Sequence, residues 1–516
     1  MRIDRWGWIL VCAFLVLACV TRFCRLDWSF SEDGDEIATF AEARSLTDKP
    51  FFVSDLKPYD RLPRAHPVAY GLQLLTYRVF GQGEFGARVG VATAGALSIA
   101  LIFLLTHLLF GRLSAIFVGI LLVLWPWHVL YSQSNRMYIY AFLFGSTALL
   151  SGALAWQRNS FAWASLSGIA AALAISSHNL AAIIPASFGI YAVVDHLTTR
   201  EPAPRRAIAG YVLVGGPLIG LSTVLAVLAM RGWAGEVGSG YSITHTLMGV
   251  AYNMTYSVAL LALVGWFGAW RSDSRPFRMI AVTATVAAIT CVLLPAFVSF
   301  RHDYVFASSI AFVLLASQTL AEAFRALREH SRFLAWGMAA AFLLLPLPSF
   351  ASYYQDGDRQ DYRAAAEYIK AHWREGDMVA ADSPGLLGHY LSRTVTPAHR
   401  PSTEPKEWVK PLEKLAATGK RVWYVCRYAR EEPPQWADQW LWQHGVRMLR
   451  IKKPRFDYHE NITDVYLLQS EPDRKCGDAH QEVDPLGEAI GGGRQTEMAE
   501  QVPPGRTQRH DRLKRG

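Results

Sequence analysis

The stretch ARVGVATAGALSIALIFLLTHLLF, residues 87–110, decides the fold class of this 516-residue chain. Only Arg88 and His107 in it carry an ionisable side chain. About 20 consecutive apolar residues are enough for an α-helix to cross the hydrocarbon core of a bilayer. The stretch therefore predicts a transmembrane helix. Its length and apolar composition serve as the standard for recognising further transmembrane segments in the chain.

Ten further apolar segments of comparable length occur before residue 350. They are Trp6–Thr21, Ser114–Leu130, Tyr138–Trp156, Phe161–Ser177, Leu180–Val194, Ile208–Met230, Met248–Trp270, Met279–Phe300, Tyr304–Leu320 and Phe333–Phe350. Strand-like alternation is absent, and only helices satisfy their own backbone hydrogen bonds in lipid without closing a barrel. We therefore expect an all-α polytopic membrane domain of about 11 transmembrane helices over residues 1–350.

Composition and charge agree with a membrane protein. Charged residues make up 18% and hydrophobic residues 52% of the chain, which excludes a disordered or fibrous protein and disfavours a cytosolic enzyme. The net charge of +8 could suggest nucleic-acid binding, so the location of the positive residues matters. With the N-terminus inside, the inner connections carry most of the arginines: Arg2, Arg5, Arg112, Arg158, Arg200, Arg205, Arg206, Arg271, Arg275, Arg278, Arg325, Arg328 and Arg332.

The short outer connections hold only Arg136, Arg231 and Arg301. This asymmetry follows the positive-inside rule. We expect a multi-pass protein of a bacterial inner membrane with a cytoplasmic N-terminus, and no nucleic-acid partner. The long first loop, residues 22–86, and everything after Phe350 are then periplasmic or extracellular.

Residues 351–469 have the pattern of a small α/β domain outside the membrane. We predict helices at Asp361–Trp373, Trp408–Ala417 and Trp436–His444, and strands at Met378–Ala381, Arg421–Val425, Val446–Ile451 and Val465–Leu468. Residues 470–516 are polar and rich in glycine and proline, which predicts a disordered tail. Cys426 and Cys476 lie in polar sequence, and they could either form a disulfide or both be free.

The first outer loop carries the most unusual local chemistry. Ser31-Glu32-Asp33-Gly34-Asp35-Glu36 places four carboxylates within five residues, directly after the first span. A predicted helix, residues 37–46, follows, and His66-Pro67 precedes an apolar segment, Val68–Phe80. Together with the other outer connections, the loop brings acidic and cationic candidates to one side of the membrane: Asp35, Glu36, His66, Arg88, Arg136, His178 and Arg301.

These segments resemble the dolichyl-phosphate-mannose–protein mannosyltransferase-like family, the GT-C type membrane glycosyltransferases similar to glycosyltransferase family 39. Bacterial members include lipid A aminoarabinose and lipopolysaccharide galacturonosyl transferases. The resemblance covers about residues 1–385 and departs from the family at Pro67-Val68, where many members have two prolines. It rests on Asp35-Glu36, His66-Pro67, Phe80-Gly81, Glu84-Phe85-Gly86-Ala87-Arg88, Ser134-Asn135-Arg136-Met137-Tyr138, His178, Arg301 and Asp361–Asp377.

The resemblance implies transfer of a sugar from a polyprenyl-phosphate donor to a hydroxyl of a lipid, glycan or protein on the outer face. Asp35 is the candidate base, because an acceptor hydroxyl needs a carboxylate to take up or orient its proton. A single base at the anomeric carbon implies inversion. Without the resemblance, Asp35 would be read as a solvated carboxylate or as the N-cap of the following helix. Glu36 is either a catalytic helper or a structural partner.

The leaving phosphate needs positive charge near its oxygens. Our candidates for that role are His66, Arg88, Arg136 and Arg301. Arg88 and Arg136 could instead form structural ion pairs or extend to the membrane surface. His178 is a candidate hydrogen-bonded turn residue rather than a catalytic one. Asp35 and His66 are also candidate ligands for a divalent metal ion, since hard cations bind clustered oxygens.

Two other classes of function are compatible with a polytopic membrane protein. A transporter or flippase of lipid-linked glycans needs broken helices in related positions of two halves, and Pro126, Pro217 and Pro295 show no such pairing. A membrane-anchored scaffold would act through the external domain. Deleting the chain after Ala351 would separate a scaffold from a transferase, because we expect a transferase to keep its first-loop chemistry in place.

Overall fold

Helices make up most of the structure, which is a computed structural model. It describes residues 3–27, 35–48, 58–199, 202–230, 243–296, 300, 302–356, 361–398, 405–429, 440–441, 443–454 and 460–468. The predicted tail, residues 470–516, lies outside the described residues, and so do Cys476 and Arg301.

Eighteen α-helices lie before residue 357 in the described part of the chain. They are α1 (Arg5–Phe23), α2 (Asp35–Asp48), α3 (Pro58–Ala65), α4 (Pro67–Phe80), α5 (Glu84–Phe110), α6 (Arg112–Leu124), α7 (Pro126–Ser132), α8 (Tyr138–Arg158), α9 (Phe161–Ile175), α10 (Ile183–Thr198), α11 (Arg205–Gly210), α12 (Gly216–Met230), α13 (Ile243–Asn253), α14 (Tyr256–Arg271), α15 (Arg275–Leu293), α16 (Ile310–His330), α17 (Arg332–Leu344) and α18 (Leu347–Asp356).

The prediction of an α-helical polytopic membrane protein is confirmed. Eight helices of the described chain are long and apolar enough to cross a membrane, or up to ten if each of two bent pairs counts as one span. Each of the eleven predicted segments overlaps one of these spans, one of the bent pairs or α9. Because α9 has only 15 residues, the count of eleven spans stays a prediction.

Two predicted spans are broken rather than straight. The pair α6 and α7 bends by 62° at Trp125, where Pro126 begins the second helix. Proline has no N–H to donate to the preceding turn, so carbonyl groups at the end of α6 need other partners. Arg22, at the end of α1, donates to the carbonyl of Val123 at 2.9 Å and to that of Leu122 at 2.6 Å.

The transmembrane helices share one hydrophobic core, and one contact in it requires glycine. Helix α9 packs against a π-helical stretch, Tyr211–Gly215, which lies between α11 and α12. A Cβ atom on Gly168 would lie 2.3 Å from the Cα of Gly215, far inside van der Waals contact. The two backbones therefore touch directly, which holds the short α9 within the bundle.

In its described residues, the predicted α/β region forms a five-stranded mixed sheet with helices before and between the strands. Its elements are α19 (Tyr362–His372), β1 (Met378–Ala381), α20 (Pro384–Leu391), β2 (Thr396–Pro397), α21 (Pro405–Ala416), β3 (Val422–Ala429), β4 (Gly445–Pro454) and β5 (Glu460–Leu468). The strand order is β2-β1-β3-β5-β4. Strand β1 pairs in parallel with β2 and β3, whereas β5 pairs antiparallel with β3 and β4.

The sheet region and the first-loop helices share a second hydrophobic core. Phe40 of α2 and Tyr77 of α4 belong to the same cluster of buried side chains as Tyr362 and Ile369 of α19. The expectation that deletion after Ala351 leaves the first-loop chemistry in place did not take this shared core into account. Truncation after Ala351 would expose apolar side chains of the first loop to water.

Candidate active site

The first-loop helices cover one end of the bundle, which we call the loop end: the end at which α1 finishes and α5 and α8 begin. The backbone N–H of Val68, in the first turn of α4, donates to the carbonyl of Ser176, just after α9, at 3.1 Å. This bond joins the first loop to the predicted outer connection that contains His178. The predicted outer connections that contain Tyr138 and Tyr304 lie at the same end, because both tyrosine rings contact the His178 ring. The sequence-based expectation that their polar groups converge agrees with this geometry.

A buried ion pair fixes the start of α2 at the loop end. Arg88 binds Glu36 in bidentate fashion, with Nε 3.0 Å from Oε1 and Nη2 2.9 Å from Oε2. The backbone N–H of Asn135 donates to Glu36 Oε1 at 2.6 Å, and the Asn135 amide donates to the Glu36 carbonyl at 3.0 Å. Charge-assisted bidentate pairs of this kind are strong and geometrically specific. The first turn of α2 is therefore held against α5 and against the turn that precedes α8.

Tyrosines of α4 extend this network. Tyr77 donates to the Asn135 side-chain oxygen at 2.9 Å, and Tyr70 donates to Glu42 at 2.6 Å. Burial and the neighbouring Glu42 carboxylate raise the pKa of the Tyr70 hydroxyl well above its usual value. Tyr70 thus remains a neutral donor, and α4 is bound to both α2 and the Asn135 turn.

The candidate base, Asp35, is the first residue of α2 and directly precedes Glu36. Its side chain lies outside the described residues. The guanidinium of Arg88 is occupied by Glu36 and by the carbonyl of Leu26, to which Nη1 donates at 3.0 Å. Arg88 is completely buried. Of the two roles predicted for it, phosphate binding and a structural ion pair, the structure shows the ion pair.

Two histidines from different outer connections stack at the loop end. The rings of His66 and His178 are nearly parallel, with centroids 5.5 Å apart, and Tyr138 and Tyr304 also contact the His178 ring. Burial, together with the nearby Arg136, lowers the pKa of His178 to about 4. Burial, His178 and Arg136 likewise lower the pKa of His66 well below its usual value. Both rings are therefore neutral at physiological pH.

Several buried neutral groups near these connections have no hydrogen-bond partner within the described residues. They are Nδ1 of His66, both amide atoms of Gln73 and Oδ1 of Asn179. Gln73 lies on α4 between Tyr70 and Tyr77 and is 1% exposed. Buried polar groups are costly unless they are hydrogen-bonded to water or to a ligand. Imidazole and amide groups of this kind can donate to and accept from hydroxyl groups.

The metal prediction is only partly covered by the structure. Within the described ranges, no group of three His, Cys, Asp or Glu side chains is arranged to hold a metal ion. His66 suits a ligand role because its ring is neutral and its Nδ1 is uncommitted. The other predicted ligand, Asp35, is not described beyond its backbone.

A groove of about 370 Å³ lies between α2 and α4, beside the network. It is lined by Arg44, Thr47, Asp48, Leu74, Tyr77, Arg78 and Gln82. Tyr77 joins the groove to Asn135 and hence to Glu36. The groove lies along the C-terminal half of α2, at the other end of that helix from Asp35.

Comparison with known proteins adds to this geometry. Residues 63–226 match the family model described as dolichyl-phosphate-mannose-protein mannosyltransferase. The crystal structure of ArnT from Cupriavidus metallidurans bound to undecaprenyl phosphate is similar over 89% of this chain and 98% of that chain, with 16% identity and a TM-score of 0.51. The chain has the GT-C fold.

A second group of GT-C structures is also similar. The archaeal oligosaccharyltransferase AglB from Archaeoglobus fulgidus, in complex with an inhibitory peptide and a dolichol-phosphate, matches over 82% of this chain and 70% of that chain, with 13% identity and a TM-score of 0.51. The Archaeoglobus fulgidus oligosaccharyltransferase tethered with an acceptor peptide gives a TM-score of 0.54 at 13% identity, over 82% of this chain and 69% of that chain. No curated protein sequence matches the chain.

Within this GT-C fold, the structure brings Glu36, Arg88 and Asn135 into one cluster and His66, His178 and Arg136 into another. The roles of Asn135 and Gln73 were not predicted from sequence, because amides carry no charge pattern. Arg22 was also missed: it is completely buried, and its Nη2 lies 3.0 Å from Nδ1 of His128. An arginine at the end of the first apolar run was the one available signal for it.

Proposed function

We propose that the chain transfers a sugar from a polyprenyl-phosphate donor to a hydroxyl group of a lipid, glycan or protein at the outer face of a bacterial inner membrane. The GT-C fold supports glycosyl transfer, and two similar structures hold undecaprenyl phosphate and dolichol-phosphate. The observation that carries most weight is the buried Arg88–Glu36 pair, because it fixes the helix that starts at Asp35 to the loop end.

In the proposed reaction Asp35 acts as the base. Its carboxylate accepts the proton of the acceptor hydroxyl while the hydroxyl oxygen attacks the anomeric carbon. The bond from that carbon to the phosphate oxygen breaks, and the polyprenyl phosphate leaves with both electrons. Attack from the face opposite the phosphate inverts the anomeric configuration. No general acid is needed, because a phosphate leaves without protonation.

The described residues support distinct roles around this step. Glu36 and Arg88 are positioning residues, since they bind each other and hold the first turn of α2. Arg136 is a cation beside the two neutral histidines. In the proposal, Arg136 and Arg301 together offset the negative charge of the leaving phosphate. His66, Gln73 and Asn179 offer neutral donors and acceptors for the hydroxyl groups of the sugar.

A divalent ion bound by Asp35 and His66 is a further part of the proposal. Such an ion would place positive charge beside the phosphate. His66 fits this role through its neutral ring and its uncommitted Nδ1. Treatment with EDTA followed by titration with Mg²⁺ or Mn²⁺ tests it, with metal content read by atomic emission as well as by transfer.

The function is tested by incubating the full-length chain in liposomes with a panel of ¹⁴C-labelled undecaprenyl-phosphate sugars and envelope lipids, glycans and proteins. We expect one label to move covalently onto an acceptor. Asp35→Asn should lower transfer about 10²- to 10⁴-fold, the range of general base catalysis. Asp48→Asn, at the other end of the same helix, is the matched control and should stay within about twofold of the wild type.

Insertion and folding of each variant are checked by size-exclusion chromatography and thermal unfolding. Full transfer by a well-folded Asp35→Asn protein would contradict the role of Asp35. Movement of the donor across the bilayer without covalent transfer would contradict the proposal and favour a flippase.

A further inference from the structure

The short segment that joins α1 to the acidic run is held by its backbone. The Gln133 amide donates to the carbonyls of Arg22 and Cys24, at 3.1 and 2.7 Å. Arg88 donates to the carbonyl of Leu26 at 3.0 Å. Residues 22–27 are thus fastened to the turn after α7 and to the first turns of α5.

The next carbonyl in this segment is bound from the external domain. Arg363, in the first turn of α19, donates through Nη2 to the carbonyl of Asp27 at 2.5 Å. The same nitrogen lies 2.5 Å from Oε1 of Glu84, and Tyr390 of α20 donates to that oxygen at 2.8 Å. One guanidinium therefore joins the sheet region, the first residue of α5 and the approach to α2.

Arg25 makes a second connection between the same two regions. It has a φ of 56°, in the left-handed region that non-glycine residues rarely adopt. Its guanidinium donates to the carbonyls of Tyr354 and Gln355 at the end of α18. The sharp turn after α1 is therefore held by the segment that leads into the external domain.

These contacts converge on α5. Glu84 and Arg88 lie four residues apart, so they occupy adjacent turns on one face of the helix. Arg88 binds the carbonyl of Leu26 before the acidic run and the side chain of Glu36 at the end of the run, while Glu84 binds the arginine that holds Asp27. Both ends of the segment that contains the candidate base are consequently fixed to the same two turns.

We propose that Arg363 is a positioning residue for sugar transfer, through which the external domain sets the placement of Asp35. The inference rests on the function proposed above. Misplacement of a reacting group by about 1 Å can cost about 100-fold in rate, which makes such a contact significant even though Arg363 touches no reacting atom. The external domain is then a structural part of the catalytic unit.

The test compares Arg363→Ala, Arg363→Lys and a matched control, Arg393→Ala, in the full-length protein in liposomes. Arg393 belongs to the same external region and stacks on Trp373, with its guanidinium carbon 4.4 Å from the ring centroid. Transfer is measured with the ¹⁴C-labelled undecaprenyl-phosphate sugar that the wild type uses. Hydrogen–deuterium exchange is measured in parallel for residues 22–27 and 35–40.

For Arg363→Ala we expect kcat to fall by about 10- to 100-fold, with the KM for the donor changed by less than about twofold. Exchange in both peptides should become about fivefold faster or more, because their anchor is lost. Arg363→Lys should recover part of kcat, since an ammonium group can bind Glu84 but lacks the planar fork. Arg393→Ala should match the wild type in both measurements.

Unchanged kcat in Arg363→Ala overturns the inference, whatever the exchange shows. Lower kcat with unchanged exchange also overturns it, because the loss would not pass through the first loop. A change confined to KM would indicate donor binding instead of positioning and would contradict it too. If no form transfers sugar, wild type included, the proposed function fails, and this inference falls with it.

Discussion

Each end of the helical bundle holds a buried pair of an arginine and a carboxylate, yet the two pairs connect different things. At the loop end, Arg88 Nη2 lies 2.9 Å from Glu36 Oε2. At the opposite end, where α8 and α10 finish and α15 begins, Arg275 Nη2 lies 3.2 Å from Asp195 Oδ2. The loop-end pair is fully buried and the opposite-end pair is largely buried, so neither resembles an ordinary surface salt bridge.

The opposite-end pair joins spanning helices to one another. Asp195 of α10 also accepts from Trp156 Nε1 of α8 and from the Tyr191 hydroxyl, each at 3.1 Å. The loop-end pair instead joins a span to α2, which does not cross the membrane and begins with a second carboxylate. The same interaction thus locks the bundle at one end and orients a candidate catalytic residue at the other.

The largest effect is expected when the loop-end pair, Arg88 and Glu36, is broken. Glu36→Gln removes the buried carboxylate that Arg88 binds in bidentate fashion, which should lower the free energy of unfolding by about 3–5 kcal/mol. It should also reduce transfer about 100-fold, because the start of α2 loses its anchor. Unfolding in denaturant and kcat of the folded fraction measure the two effects separately.

The double variant Glu36→Leu/Arg88→Met is the control for this prediction. It removes both charges, so it should recover much of the lost stability without recovering transfer. Full transfer by the double variant would show that the pair does not orient Asp35.

Breaking the opposite-end pair should affect stability alone. Asp195→Asn removes the buried carboxylate that Arg275 binds and should cost about 3 kcal/mol of unfolding free energy. The transfer rate per folded molecule should stay within about twofold of the wild type, because the pair lies at the far end of the bundle. A loss of kcat as large as that of Glu36→Gln would remove the distinction between the two ends.

The smallest expected effect is a dependence of stability on pH at the loop end. Burial lowers the pKa of His178 to about 4, whereas the unfolded chain protonates this histidine near pH 6.5. The unfolded state therefore binds the proton first, and stability should decrease as the pH falls below about 6.5. By pH 4.5 the loss should approach roughly 2.5 kcal/mol.

Thermal unfolding from pH 7.5 to 4.5 measures this dependence in the wild type and in His178→Gln. The variant has no titrating ring at position 178, so its unfolding midpoint should change less over that range. An equally steep decrease in both proteins would show that His178 does not cause it.

Much of the architecture could be predicted from sequence because long apolar runs have few alternatives. The quoted run, residues 87–110, lies within the observed helix 84–110. In the α/β region, the strand at residues 378–381 was predicted with its observed bounds. Local composition determines whether each of these segments forms a helix or a strand, so they could be predicted without knowing their neighbours in the fold.

The features that sequence did not give depend on contacts between distant residues. The bend at Trp125 is stabilised by Arg22, about 100 positions earlier in the chain. The contact between Arg363 and the first loop depends on the backbone carbonyl of Asp27. Helix α20, the short strand β2 and the side-chain role of Asn135 were also missed. Every residue has a backbone carbonyl, so the sequence does not indicate which carbonyl a distant side chain will bind. These hydrogen-bond networks could therefore be recognised only from the structure.

Sequence predicted which charged residues lie at the loop end, whereas the catalytic and binding roles assigned to them stay predictions. Glu36, His66, Arg88 and Arg136 do meet at the loop end, as the topology indicated. Arg88 was predicted either to bind phosphate or to form an ion pair, and sequence could not decide between them. The decision depends on which carboxylate lies within reach of the guanidinium, and that is a property of the folded first loop.

Arg22 has one further consequence, which concerns salt. Its charge faces helix carbonyls and His128, and it has no carboxylate partner in the described part of the chain. The end of a helix offsets only about half an elementary charge, so positive potential remains at the loop end. Because dissolved ions cannot approach a fully buried group, that potential is not screened as a surface charge would be. An anionic headgroup would therefore feel it at high ionic strength as well as at low.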